Sequence, residues 1–227
     1  MAVQKQKLQK GKKSWRQIVA PKMFNEMALG ETLGYTPEEM LGKRVVYNLM
    51  NLTKDVKRQN IVITFEVTGI QDGKGTTSVI AYTMVPSSVK RLVRRRSDRV
   101  DISFACETAD GRIVRIKPLL VTRGNTTSVI LRKLHHYAAD YALKAVKRIS
   151  YEQLLNDLVS YKFQAEMRQK LAKIFPLKSC EIRSLVLGDA AEKVRRIELQ
   201  PEPANREPQQ EQAPEQPQGQ QATQESA

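Results

Sequence analysis

His135 and His136 are the only histidines of the chain, and Cys106 and Cys180 its only cysteines, so any imidazole or thiol chemistry must use these four residues. Neighbouring residues of a helix point about 100° apart, so the two histidines cannot ligate one metal from one face. General-base work by either would need a carboxylate or nucleophile from a distant segment. Asp140 follows His136 at the spacing of an ordinary surface pair on a helix. The cysteines stand 74 positions apart with no further Cys or His beside them, which fits neither a zinc spacing nor a redox pair. They read as two reduced thiols used as small apolar groups. GIQDGKGTT at 69–77 lacks the spacing of a Walker loop: three residues, not four, separate Gly69 from Gly73, and Gly75 stands where Ser or Thr must follow Lys74. A hairpin turn accounts for it. No catalytic residue, metal site, cofactor or small-molecule substrate is expected.

Chemistry of another kind is abundant. RGNTTS at 123–128 joins Arg123 to the free backbone N–H groups of a helix start, a natural place for a phosphate and equally a capped helix. Three basic sets accompany it. Residues 1–16 hold Lys5, Lys7, Lys10, Lys12, Lys13 and Arg16 and no acid. KRLVRRRSDR holds Lys90, Arg91, Arg94, Arg95, Arg96 and Arg99. A helix predicted over 128–149 puts Arg132, Lys133, His136, Lys144, Lys147 and Arg148 on one side. The formal net charge is +14 and the isoelectric point near 9.8. From Pro201 onward one base faces five acids, so residues 1–200 carry an excess of eighteen cations. Such a surface repels itself unless a polyanion neutralises it, and a nucleic-acid backbone does so over a wide area. Aromatics are only 6% of residues and do not interleave with the bases in an RNP-like pattern, which favours backbone contact over base stacking. Trp15 beside Arg16 is the one candidate exception, with packing in a core or staple as its other reading.

These cations need elements to hold them. Ile61, Ile63, Phe65 and Val67 alternate with Thr64, Glu66 and Thr68, QDGKGTT turns the chain, and SVIAYTMV runs to Pro86, which predicts a hairpin over 60–85. RVVYNLMNL reads as a strand before it. Val100, Ile102, Phe104 and Cys106 alternate in a second hairpin that turns at Ala109–Gly111 and returns as RIVRIKPLLV. Leu131, Leu134, Ala138, Ala142, Ala145 and Ile149 then recur at steps of three and four, a helix stripe with Thr126, Thr127 or Ser128 to cap it. SYEQ from Ser150 is a capping box for a helix to Val159, a further helix covers 161–174 before Pro176, and KSCEIRSLVL is a last strand. TTSVI occurs at 76–80 and 126–130, but its flanks are strand-like in one place and helical in the other, so it is no repeat.

The expected fold is α+β: a barrel-like antiparallel sheet flanked by C-terminal helices. Residues 1–16 form a disordered basic arm, 17–199 a single domain, and 200–227 a disordered tail with five Pro and nine Gln. The N-terminus lacks the apolar core of a signal peptide and no apolar run approaches the roughly 18 to 20 residues that span a bilayer, which points to the cytosol and away from a membrane.

Several of these residues also occur together elsewhere. Trp15, Val19, Ala20, Pro21, Met23 and Phe24 after a basic arm, KRVVYNLMNLTKD from Lys43, and the VDI hairpin ending in Asp110, Gly111 and Arg112 resemble a small-subunit ribosomal protein family of archaea and eukaryotes. That family is called S-three-A in eukaryotes and eS-one in the unified naming. Its basic cluster before the VDV-type strand is matched by Arg94–Arg96, and its basic helix by Arg132 and Lys133. Where it has R-x-x-E, this chain has Tyr47 after Arg44. The resemblance spans about residues 10–190 and is of archaeal type. It implies a non-catalytic constituent of the 30S-type subunit, on the platform, with small-subunit rRNA and neighbouring ribosomal proteins as partners. A general DNA-coating protein and an enzyme acting on an anionic substrate are the rival classes.

Overall fold

The period-two alternation over 61–84 folds into the longest hairpin of the molecule, and the remaining strands assemble on it. The computed structural model describes residues 12–188. Within them the chain runs β1 (Ser14–Val19), β2 (Ala28–Gly34), β3 (Arg44–Asn48), α1 (Leu49–Thr53), β4 (Ile61–Gln71), β5 (Lys74–Met84) and α2 (Pro86–Leu92). It continues as β6 (Arg99–Asp101), β7 (Phe104–Glu107), β8 (Ile113–Thr122), α3 (Ser128–Val146), α4 (Tyr151–Val159), α5 (Lys162–Ala172) and β9 (Leu177–Leu187). β4 and β5 meet across a two-residue turn in which Asp72 and Gly73 have φ of 51° and 73°. Both values are left-handed, as a turn matching the strand twist requires, and glycine meets the second without strain.

One edge of β5 is taken by β4, which in turn carries β3. Its other edge is shared. β1 lies parallel to it at Ile18 and Val19, opposite Gly75 and Thr76, while β9 lies antiparallel at its far end, opposite Ala81 to Thr83. β2 extends the sheet beyond β1, and β8 extends it beyond β9, with β6 and β7 end to end on the outer edge of β8. The sheet is therefore mixed rather than wholly antiparallel, and no pairing among the described residues closes it into a barrel. The α+β class and the helices that follow the sheet are as expected.

The helices give the sheet one covered face. Leu134, Ala138, Ala142 and Val146 of α3, Leu154 and Leu158 of α4, and Phe163, Met167 and Leu171 of α5 are buried in one core with Phe65, Ile116, Leu120 and Ile182. Burying each such side chain contributes about 1.5 to 3 kcal/mol before entropy is counted. Leu119 and Val121 of β8 alternate with Leu120 and join a separate small core with Met84 and Val89. The second half of β8 is thus buried on both sides.

Several boundaries differ from the expected ones for local reasons. The strand expected over 44–52 ends at Asn48, because the Asn48 side chain accepts a hydrogen bond from the Met50 N–H at 2.9 Å and starts α1. The segment after Pro86 is helical, with Pro86 in the first turn, where its missing N–H costs nothing. β1 starts at Ser14, so Trp15 and Arg16 belong to a strand and not to an unstructured arm. Lys5, Lys7 and Lys10, and the tail from 200 to 227, lie outside the described residues. The first TTSVI lies in β5, and the second runs into α3.

Candidate nucleic-acid interface

The segment from Lys90 to Arg99 is mounted from below. Val89 of α2, with Leu92 and Val93, packs on Met84, Leu119 and Val121. The Ser88 hydroxyl donates to Asn60 Oδ1 at 2.7 Å, and the Val85 N–H to the Asn60 carbonyl at 2.9 Å. Lys90 and Arg91 occupy the last turn of α2, where the helix dipole favours cations. The chain then turns through Arg96 at φ 64°, a conformation uncommon for a non-glycine residue. Ser97 Oγ donates to the Arg94 carbonyl at 2.7 Å and closes this turn. Lys90, Arg91, Arg94, Arg95 and Arg96 are all exposed, and none pairs with a carboxylate among the described residues. Arg99 differs: it is ion-paired with Asp101, which also has Arg183 at 4.0 Å.

Asp98 ties this segment to the start of α3. Its backbone N–H donates to Thr122 Oγ1 at 2.8 Å, and its carbonyl accepts from the Thr122 N–H at 2.9 Å. Its carboxylate accepts from the Thr126 N–H at 2.6 Å and from Thr126 Oγ1 at 3.1 Å. The RGNTTS loop thus holds a negative group of the protein's own, and a phosphate there would have to share the site with Asp98. Arg123 is exposed in this loop, its N–H bonded to the Pro176 carbonyl at 3.1 Å. Thr127 is the N-cap of α3 without a side-chain cap bond.

Along α3, Arg132, Lys133, His136 and Lys144 are exposed, as are Lys147 and Arg148 just beyond its last residue, Val146. Leu131, Ala145 and Ile149 of the expected stripe are only half-buried, and Val146 completes the inner face. The cationic side is not purely polar. Val129 and Tyr137 are 58% and 47% exposed and line a shallow groove with Arg132, Lys133, His136 and Ile174. The rings of His135 and His136 meet edge to face at 5.5 Å.

A second surface lies on the β1–β2 ribbon, which pairs with β5 at the end of the edge opposite to where β9 pairs. Trp15 is 68% exposed, so it neither enters the core nor staples an element. It faces Leu33 across the ribbon, itself 40% exposed. The Lys13 ammonium sits 5.2 Å from the centre of the exposed Tyr35 ring. Lys12 is exposed, whereas Arg16 is half-buried and its Nε has no partner among the described residues. The structure thus joins Lys90–Arg99 and Arg123 to the start of α3, and sets Lys12, Lys13 and Trp15 apart. The Asp98 tie was hidden in the sequence, because a single acid among arginines reads as charge balance.

Both cysteines are turned inward, whereas His136 faces outward. Cys106 and Cys180 are free and buried, and burial pushes the Cys106 thiol up to about 12 and the Cys180 thiol further up. Among the described residues no group of three His, Cys, Asp or Glu side chains could hold a metal ion, and no helix is long and apolar enough to cross a membrane.

Comparison with known proteins gives this arrangement a context. The sequence profile described as the Ribosomal S3Ae family matches residues 2–188. A protein named small ribosomal subunit protein eS1 from Nanoarchaeum equitans is 27% identical over 187 residues, which cover 82% of this chain and 94% of that one. Its namesake from Methanothermobacter thermautotrophicus is 28% identical over 180 residues, 79% of this chain and 92% of that one. One from Saccharolobus islandicus is 26% identical over 170 residues, 75% of this chain and 82% of that one.

Proposed function

The chain belongs to the Ribosomal S3Ae family, and on that footing we propose that it is a non-catalytic structural constituent of the archaeal-type small ribosomal subunit in the cytoplasm. Its partners in this reading are small-subunit rRNA and the neighbouring ribosomal proteins of the platform. The observation that carries the RNA contact is the mounted segment. Five exposed cations, Lys90, Arg91 and Arg94–Arg96, stand without carboxylate partners among the described residues, on a helix and turn seated by their own small core. A phosphate backbone supplies the missing counter-charge, and rigid mounting reduces the ordering cost of binding. Arg123, Arg132, Lys133, His136, Lys144, Lys147 and Arg148 extend the same surface along α3, and the β1–β2 ribbon with Lys12, Lys13, Trp15 and Arg16 offers a second contact. Lys5, Lys7 and Lys10 extend that contact through the arm, 17–199 acts as one domain, and 200–227 moderates its charge. Phosphate contacts of this kind position a protein on RNA without reading sequence.

The test is sedimentation of the endogenous protein. It should travel with small subunits and leave them only at high salt. Binding of small-subunit rRNA fragments that is insensitive to salt, or that duplex DNA competes away as well as rRNA does, would overturn this reading.

A further inference from the structure

A cleft of about 600 Å³ opens between residues 55–58, α2 and the junction of α4 with α5. That volume suits one small planar ligand. Its lining includes the apolar side chains of Ile61, Met84, Leu92 and Leu158. It also carries charge of both signs. Lys57, Arg58 and Arg91 outnumber Asp55. Arg58 is fixed there, its Nε donating to Asp55 Oδ2 at 3.1 Å with the side chain only 21% exposed. Glu181 lines the cleft as well. Its Oε1 accepts from the Tyr161 hydroxyl at 2.8 Å, and no cation pairs with its carboxylate among the described residues.

A ligand that fits must offer an apolar, flat part, N–H donors for the carboxylate and negative charge for the cations. A nucleotide meets all three demands. The carboxylate selects among bases, because guanine alone presents two adjacent donors, N1–H and the exocyclic amino group, to two carboxylate oxygens, whereas adenine and cytosine offer only an amino group and uracil a single N–H. Arg91 also belongs to the basic segment, so a strand lying along Lys90–Arg96 passes the mouth of the cleft. We propose that this cleft takes one unpaired guanine nucleotide out of the bound RNA, with the base edge on Glu181 and the phosphate at Arg58 and Arg91. The inference rests on the RNA-binding reading above. It adds a point of base recognition to a surface otherwise suited to backbone contact.

The test titrates the full chain with the four nucleoside 5′-monophosphates and, separately, with a small-subunit rRNA fragment. Guanosine monophosphate should bind saturably and about tenfold more tightly than the other three. Glu181→Gln, which retains an acceptor for Tyr161, should abolish that preference without shifting the thermal midpoint. Arg91→Ala should weaken all four monophosphates alike. Equal binding of the four, an unchanged preference in Glu181→Gln, or no saturable binding would each overturn the proposal, and occupation of the cleft by a protein would appear as the last of these. Salt-sensitive rRNA binding without guanine preference defeats this inference alone, whereas loss of rRNA binding defeats the reading beneath it.

Discussion

The Asp98 carboxylate accepts two hydrogen bonds from Thr126, one from the backbone N–H at 2.6 Å and one from Oγ1 at 3.1 Å. An acid set among arginines thus clamps the basic segment to the start of α3 instead of merely offsetting charge. Hydrogen bonds to a charged acceptor contribute about 1.5 to 3 kcal/mol.

Asp98→Ala should therefore lower stability by about 2 kcal/mol. The measurement is urea unfolding with an unchanged slope and a reduced midpoint. A midpoint equal to that of the wild type would show that the clamp holds nothing.

Replacing Arg94, Arg95 and Arg96 together with Ala should reduce the log–log salt dependence of rRNA binding by up to about 2.7 on duplex, since each phosphate contact contributes about 0.9. Arg99→Ala should leave that slope where it was, because the Arg99 guanidinium is engaged by Asp101. Equal effects from the two variants would refute this division.

Stability should fall in alkali. Burial raises the Cys106 thiol from its ordinary value near 9 to about 12, so its contribution is complete below about 9 and is lost as pH climbs toward 12. In that window the unfolded chain has released the proton and the folded chain still holds it, which favours unfolding as pH rises. Cys180 adds to this in the same direction. Denaturation midpoints between pH 8 and 11 should decline, and less steeply in Cys106→Ala. A thiol reagent should label neither cysteine until the chain unfolds.

Two buried tyrosines should respond oppositely to loss of their hydroxyls. Tyr151 donates to the Val79 carbonyl at 2.9 Å, joining α4 to β5, so Tyr151→Phe leaves a buried carbonyl unsatisfied and should cost about 1 to 3 kcal/mol. The Tyr82 hydroxyl is buried with no hydrogen-bond partner among the described residues, so Tyr82→Phe should be neutral or slightly stabilising. Thermal midpoints of the two variants decide the matter.

The two long hairpins, the inner stripe of α3 and the capping box of α4 were legible in the sequence, because each rests on short-range periodicity or turn chemistry. What the sequence hid depends on residues far apart. Asp110 was legible as a turn residue, yet its carboxylate also accepts from the Tyr151 N–H at 2.7 Å and helps cap a helix 41 positions later. The parallel contact of Ile18 and Val19 with Gly75 and Thr76 leaves no local trace, so the sheet could not be read as mixed. α2 was missed because Pro86 signals the end of a strand as readily as the first turn of a helix. In the candidate site, the cations could be named from composition, and Arg99 stands out among them because Asp98 and Asp101 flank it within two positions. Which of the two acids it pairs with is decided by the strand, which brings it to Asp101.

The strand that joins the two halves of the sheet is, among the described residues, the last to be synthesised. β9 lies between β5 and β8, and without it the β1–β5 half and the β6–β8 half share no strand pairing. A nascent chain that has reached Pro176 has already made every cation of the proposed RNA surface, yet has not joined that surface to the rest of the sheet. Pairing of β9 with β5 and β8 is therefore the step that joins the proposed RNA surface to the rest of the sheet.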